Sequence, residues 1–184
     1  MADRTLVAYG RGTGYDLHYA HDGVDPETLG EATPFGGRTD RDLDRLREQL
    51  EPLGVEIEAD RGRPAVDPTP LVTGVGWDDV VAGLDYGAYD RCLRVDGSWE
   101  ATRYLVCFFG LGHRGGEARE PTGDGALLPV DELEEPYARG WFEGVKSAVA
   151  DALRCGRLGE EDARSYMAGR VVAFADDRDA HVGF

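Results

Sequence analysis

Four histidines, three cysteines, three serines and one lysine are the side chains of this chain whose chemistry goes beyond fixed charge. His18 and His21 stand three positions apart on a segment that reads as a strand, so they point to opposite faces. A zinc ion needs three or four N, S or O ligands in one place. The two histidines can share an ion only if the strand bulges or ends between them. His113 lies in a glycine-rich stretch from which it could swing towards either, and His181 lies near the C-terminus. No CxxC or HExxH spacing supports a metal centre. Ordinary structural or exposed histidines are the favoured reading, and no metal or cofactor is expected.

Nucleophilic chemistry has little support. Cys107 sits in an apolar strand pattern and reads as a small core hydrophobe. Cys155 ends an apolar helix face, and Cys92 lies on a strand that could be an edge. None has the cationic neighbour or helix N-terminus that a reactive thiolate requires. Ser98, Ser147 and Ser165 lie outside any GxSxG elbow. Gly10-Arg-Gly-Thr-Gly14 joins strand to strand, and no helix pattern follows Gly110 to Gly116, so neither cradles a phosphate at a helix start. Adjacent acids such as Asp78-Asp79 and Glu134-Glu135 carry no weight among 36 Asp and Glu.

Lys146 is the sole lysine beside 19 arginines. Arg139, Glu143 and Lys146 fall at i, i+4 and i+7 of a helix pattern. They form either a cluster able to hold an anion or a partner, or a plain ladder of surface ion pairs worth a few tenths of a kcal/mol each. The ladder is the favoured reading, and only burial would promote Lys146 to a site.

The elements that must position these residues follow from periodicity and turns. Thr5 to Tyr9 and Tyr15 to His21 form a hairpin about the glycine turn. The face with Tyr15, Leu17, Tyr19 and His21 reads as buried, leaving Asp16 and His18 on the open face. Residues 22 to 37 are loop. A helix is expected over 38–53, with Leu43, Leu46, Leu50 and Leu53 as its stripe, then a half-buried strand through Val55, Ile57 and Ala59. Residues 61 to 70 are connective. A short helix over 77–84 precedes strands over 89–95 and 99–109, joined at Asp96-Gly97. The second of these is the most apolar segment and belongs inside the sheet. Residues 110 to 125 read as a mobile loop, 126 to 130 as a strand, and two helices end at about Cys155 and Phe174. Ala180-His-Val182 suggests a terminal strand. The order predicts an α+β fold: an antiparallel sheet built from hairpins, a mid-chain helix, and a C-terminal helix pair packed on one face. One domain over 1–184 fits the length.

Net charge is −16, with hydrophobic residues at 41%. The acids are dispersed and lysine is nearly absent, as in the surface of a salt-in halophile. At molar salt the Debye length falls to about 3 Å, so the acids repel one another little. The charge argues against plain electrostatic binding to nucleic acid or an anionic membrane. No apolar run reaches a membrane span, and Met-Ala-Asp-Arg opens no signal peptide. Sparse, odd cysteines fit reduced thiols in a cytoplasm.

Leu6-Val-Ala-Tyr9, Tyr15-Asp-Leu-His-Tyr-Ala-His21, Glu135-Pro-Tyr-Ala-Arg-Gly-Trp-Phe-Glu-Gly-Val-Lys146 and Glu160-Glu-Asp-Ala-Arg-Ser-Tyr166 resemble a haloarchaeal family of unknown function. The chain departs from that pattern at His21-Asp-Gly, where His-Trp-Gly is expected. The resemblance implies a halophile origin and no particular activity.

The sequence therefore reads as a small binding or interaction module with an unknown protein or small-molecule partner, or a second copy of itself. Its candidate surface is Asp16, His18, His21, His113, Arg139 and Lys146. The alternative is a metal- or histidine-dependent hydrolase using His18, His21 and His113.

Overall fold

The computed structural model describes residues 3–37, 43–45, 48–49, 52, 64–111 and 124–183. Its framework is a seven-stranded sheet. The strands are β1 (Thr5–Arg11), β2 (Gly14–Ala20), β3 (Val72–Val75), β4 (Arg91–Val95), β5 (Ala101–Phe108), β6 (Gly125–Pro129) and β7 (His181–Gly183). Their order across the sheet is β3-β2-β1-β4-β5-β6-β7. Among the described residues, three α-helices are bounded: α1 (Trp77–Gly83), α2 (Glu135–Arg154) and α3 (Glu160–Ala175). The fold is α+β with a mostly antiparallel sheet, as the element order predicts.

Local chemistry explains the elements. Gly12 takes a φ of +59° in the β1–β2 turn, a region open to glycine at no steric cost. Asp96 Oδ1 accepts from the backbone of Ser98 (2.8 Å) and Glu100 (2.9 Å), an Asx-type turn that folds β5 back on β4. Pro136 falls in the first turn of α2, where its missing N–H costs nothing.

Two features depart from the sequence reading. β1 and β4 pair in parallel, Thr5 opposite Arg91 through Tyr9 opposite Val95. Hairpins alone cannot make such a pair; it needs a crossover, here through β2, β3 and α1. β3 itself falls in a stretch that showed no strand pattern, because its residues are mostly exposed and lack alternation. Of the helix expected over 38–53, residues 43–45 and 48–49 are helical. Its remainder, except Pro52, and the strand expected over 55–59 lie outside the described residues.

Both faces of the sheet are covered. On one, Leu105, Cys107, Ala126 and Leu128 pack against Ala138, Phe142 and Val149 of α2 and Ala163, Met167 and Val171 of α3. The C-terminal helix pair thus covers one face, as expected. Register continues this face into Val7, Tyr9, Leu93 and Val95, over which Leu29, Phe35 and Val66 close. The other face packs Leu6, Cys92, Val106 and Leu127 against Val80, Val81 and Leu84 of the α1 region. Tyr86 lies fully buried there and donates to the Val81 carbonyl (3.0 Å). It fits because Gly125 and Gly183 face each other across β6 and β7. A Cβ on Gly183 would come within 2.6 Å of the Tyr86 hydroxyl, and one on Gly125 would overlap its ring.

Candidate arginine-lined groove

The hairpin histidines do not form a site. β2 buries the face opposite to the one its aromatics suggest: His18 is 5% exposed and His21 is exposed. The reason is the connective chain, which lies over that face. His18 Nδ1–H donates to the Asp67 carbonyl (2.8 Å), and its ring packs on Tyr9 and Phe35. His21 sits outside, with its Nδ1 3.1 Å from the Tyr19 hydroxyl. The expectation of an open His18 is therefore corrected. Asp16 joins strands: its Oδ1 accepts from the Gly74 amide (3.1 Å). His113 lies outside the described residues. Among those residues, no three His, Cys, Asp or Glu side chains converge as metal ligands. Cys92 and Cys107 are buried, and burial pushes the Cys92 thiol up to about 12, so both are core groups.

Nor does the Arg139–Glu143–Lys146 ladder form among the described residues. Lys146 is half-buried with its Nζ 4.9 Å from the centre of the Phe108 ring. Arg139 turns to Glu135 instead, one turn earlier (2.9 Å).

That contact leads to the most developed polar site. Glu135 is the first residue of α2, and its side chain is 5% exposed. Arg91 Nε donates to both carboxylate oxygens (2.7 and 2.9 Å), and Arg139 Nη2 donates to Oε1 (2.9 Å). Arg103 Nη1 stands 3.9 Å from Oε2. Arg91 also reaches Asp3 (2.5 Å). Burial disfavours the charge on Arg91, but the hydrogen bonds and charge of Glu135 and then Asp3 outweigh it and raise its pKa. Three guanidiniums thus gather on one buried carboxylate.

The cluster opens into a cleft of about 790 Å³ bounded by Asp22–Asp25 and the first turn of α2. A second cleft of about 690 Å³ adjoins it, and both are lined by Asp25, Arg103 and Glu132. The second runs past the ends of β5 and β6, at Ala101 and Pro129, and is lined from both faces of the sheet. Arg94, Tyr104, Arg178 and Asp179 line it too. Arg178 is held in a bidentate pair by Glu134. Arg103 differs: its side chain is 15% exposed, yet its guanidinium makes no hydrogen bond among the described residues.

On the far face, Arg94 Nε donates to the Tyr15 hydroxyl (2.8 Å) and its guanidinium lies 4.9 Å from the Trp77 ring centre. Trp77 Nε1–H donates to His181 Nε2 (3.1 Å). Burial lowers the pKa of His181, an effect Asp179 partly offsets. Outside these clefts, Tyr137 is 69% exposed and stacks beside Phe174, with Leu133 92% exposed nearby in sequence.

Sequence reasoning found Arg139 but missed Arg91, Arg94, Arg103 and Glu135. One signal was present. Arg91 and Arg94 interrupt a strand whose other residues are Cys92, Leu93 and Val95, and a charge inside a central strand calls for a partner or a ligand.

The fold and the groove define an α+β protein with clustered arginines in an otherwise acidic chain. The chain belongs to a family whose model, described as "Family of unknown function (DUF6735)", matches residues 1–182. No curated protein and no solved structure matches it.

Proposed function

We propose that this chain is a one-domain binding module of a halophile's cytoplasm, and that its ligand is a small organic anion held at Arg103. The observation that carries the reading is an enclosed guanidinium, without a hydrogen bond among the described residues, where two clefts meet. Arginine donors are charge-assisted and suited to carboxylate or phosphate. Glu135 supports the site by hydrogen-bonding Arg91 and Arg139, while it meets Arg103 only as a charge 3.9 Å away. Asp25 and Glu132 line the same stretch and suit hydroxyl groups on the ligand. At molar salt only contact pairs matter, so the net charge of −16 does not bar an anion. The acidic, lysine-poor composition supports the halophile origin. No helix of the described residues is long and apolar enough to cross a membrane.

The test is thermal unfolding in molar KCl with potassium phosphate or succinate added. A ligand that binds only the native state raises Tm with concentration. Both salts also stabilise proteins by exclusion, so the comparison is with Arg103→Met. Wild type is expected to gain more than the variant at every concentration. Equal gains would remove the reading.

A further inference from the structure

We propose that the ligand of this groove is an amino acid, its carboxylate on Arg103 and its ammonium group on Glu132 and Asp25. The inference rests on the anion-site reading above and names the class of ligand.

Asp25, Arg103 and Glu132 line both clefts. The junction is thus bordered by one guanidinium and two carboxylates. The chain brings them there from two sides. Arg103 and Leu105 lie two apart on β5, and Arg91 pairs with Leu105, so both arginines share the face that α2 covers. Both reach Glu135 on that face. The Val130 amide donates to the Arg103 carbonyl (3.0 Å). Glu132 follows Val130 by two residues, no more than about 7 Å of chain. On the other wall, a Cβ on Gly23 would lie 3.4 Å from Arg91 Nη1, and Asp25 again follows two residues on.

These opposite charges border one space without meeting. The only acid within ion-pair distance of Arg103 among the described residues is Glu135, at 3.9 Å. The Glu132 carboxylate has no hydrogen-bond or ion-pair partner among the described residues. Asp25 gives Oδ1 to the Glu27 amide (3.0 Å), which leaves Oδ2. Elsewhere in the chain arginines close directly on acids: Arg4 on Asp90, Arg164 on Asp124 and Arg178 on Glu134.

At molar salt only groups in contact count. A bare carboxylate or phosphate in the junction would gain Arg103 but would press against two carboxylates and strip their water. An ammonium group on the same molecule supplies charge-assisted donors to both. One positive and one negative group on a small molecule match the two signs the junction presents.

The experiment titrates the full chain in molar KCl with matched acids that differ only in the amino group: glycine against acetate, β-alanine against propionate, and 4-aminobutyrate against butyrate. Calorimetry reads each affinity. Wild type is expected to bind the amino member of at least one pair about tenfold more tightly than its carboxylate, the scale of one charge-assisted contact. The pair that shows it gives the spacing of the two charges. Glu132→Gln and Asp25→Asn keep side-chain size at two exposed positions, so the double variant is expected to fold. It should bring that ratio to about one. If wild type binds the plain carboxylates as tightly as the amino acids, or the ratio survives the double substitution, the amino-acid inference is wrong and the anion site stands. If no member of any pair binds wild type, or Arg103→Met binds the amino acids as wild type does, both fall.

Discussion

Glu135 is a carboxylate taken almost wholly out of water at a helix start, with Arg91, Arg103 and Arg139 around it. A buried ion cluster of this kind is weak evidence of stability in itself, because desolvation offsets the attraction. Removing one member is another matter, since the others keep their charge without a counter-charge. Glu135→Gln is therefore expected to cost about 3–5 kcal/mol of unfolding free energy, measured by urea denaturation at molar KCl. A loss below about 1 kcal/mol would mean that water already shares the cluster. Of this site, sequence reasoning singled out Arg139 alone. Glu135 and Arg139 lie one turn apart in a stretch with helical periodicity. Their partner Arg91 is 44 residues from Glu135, and no local pattern carries that distance. His18 failed for the same reason: the segment that buries it, at Asp67, lies 49 residues on.

Elements were more legible than contacts. The hairpins β1–β2 and β4–β5, the strands β6 and β7, and the helices α1, α2 and α3 each announce themselves through turn residues or apolar spacing. β3 did not, because a short strand exposed along its length needs no alternation. The three-residue β7 is legible only as a suggestion, and its hold on the fold is chemical. His181 accepts the Trp77 indole proton, tying β7 to α1. An acceptor nitrogen must be unprotonated. Burial depresses the pKa of His181 in the folded state, so the unfolded chain binds its proton more readily. The unfolded state then carries more protons as pH falls below the ordinary histidine value of about 6.5, and stability is lost in that direction. Above that value the contribution is fully present. Unfolding free energy of wild type should thus fall, as pH drops below about 6.5, more steeply than that of His181→Asn. Parallel curves would show that the Trp77 contact does not depend on the proton.

At the scale of the molecule, the governing quantity is the charge of −16. Like charges on a compact body oppose folding unless counterions screen them. The surface is expected to require salt: circular dichroism should show loss of structure on transfer from molar KCl to below about 0.1 M, where the Debye length grows to about 10 Å. An unchanged spectrum would overturn the halophilic reading. The overall class was legible because composition and element order act globally. The parallel register of β1 on β4 was not, since it is decided by how a crossover packs.

That register has a cost in time. β1 sits inside the sheet, yet one of its two neighbours is β4, and the contacts that dock it, such as Arg4 with Asp90, span 86 residues. A ribosome adding about 5–20 residues per second needs roughly 4–17 s to deliver that partner. Through that interval the N-terminal hairpin waits with an interior edge open, and chaperone capture during synthesis would be concentrated there.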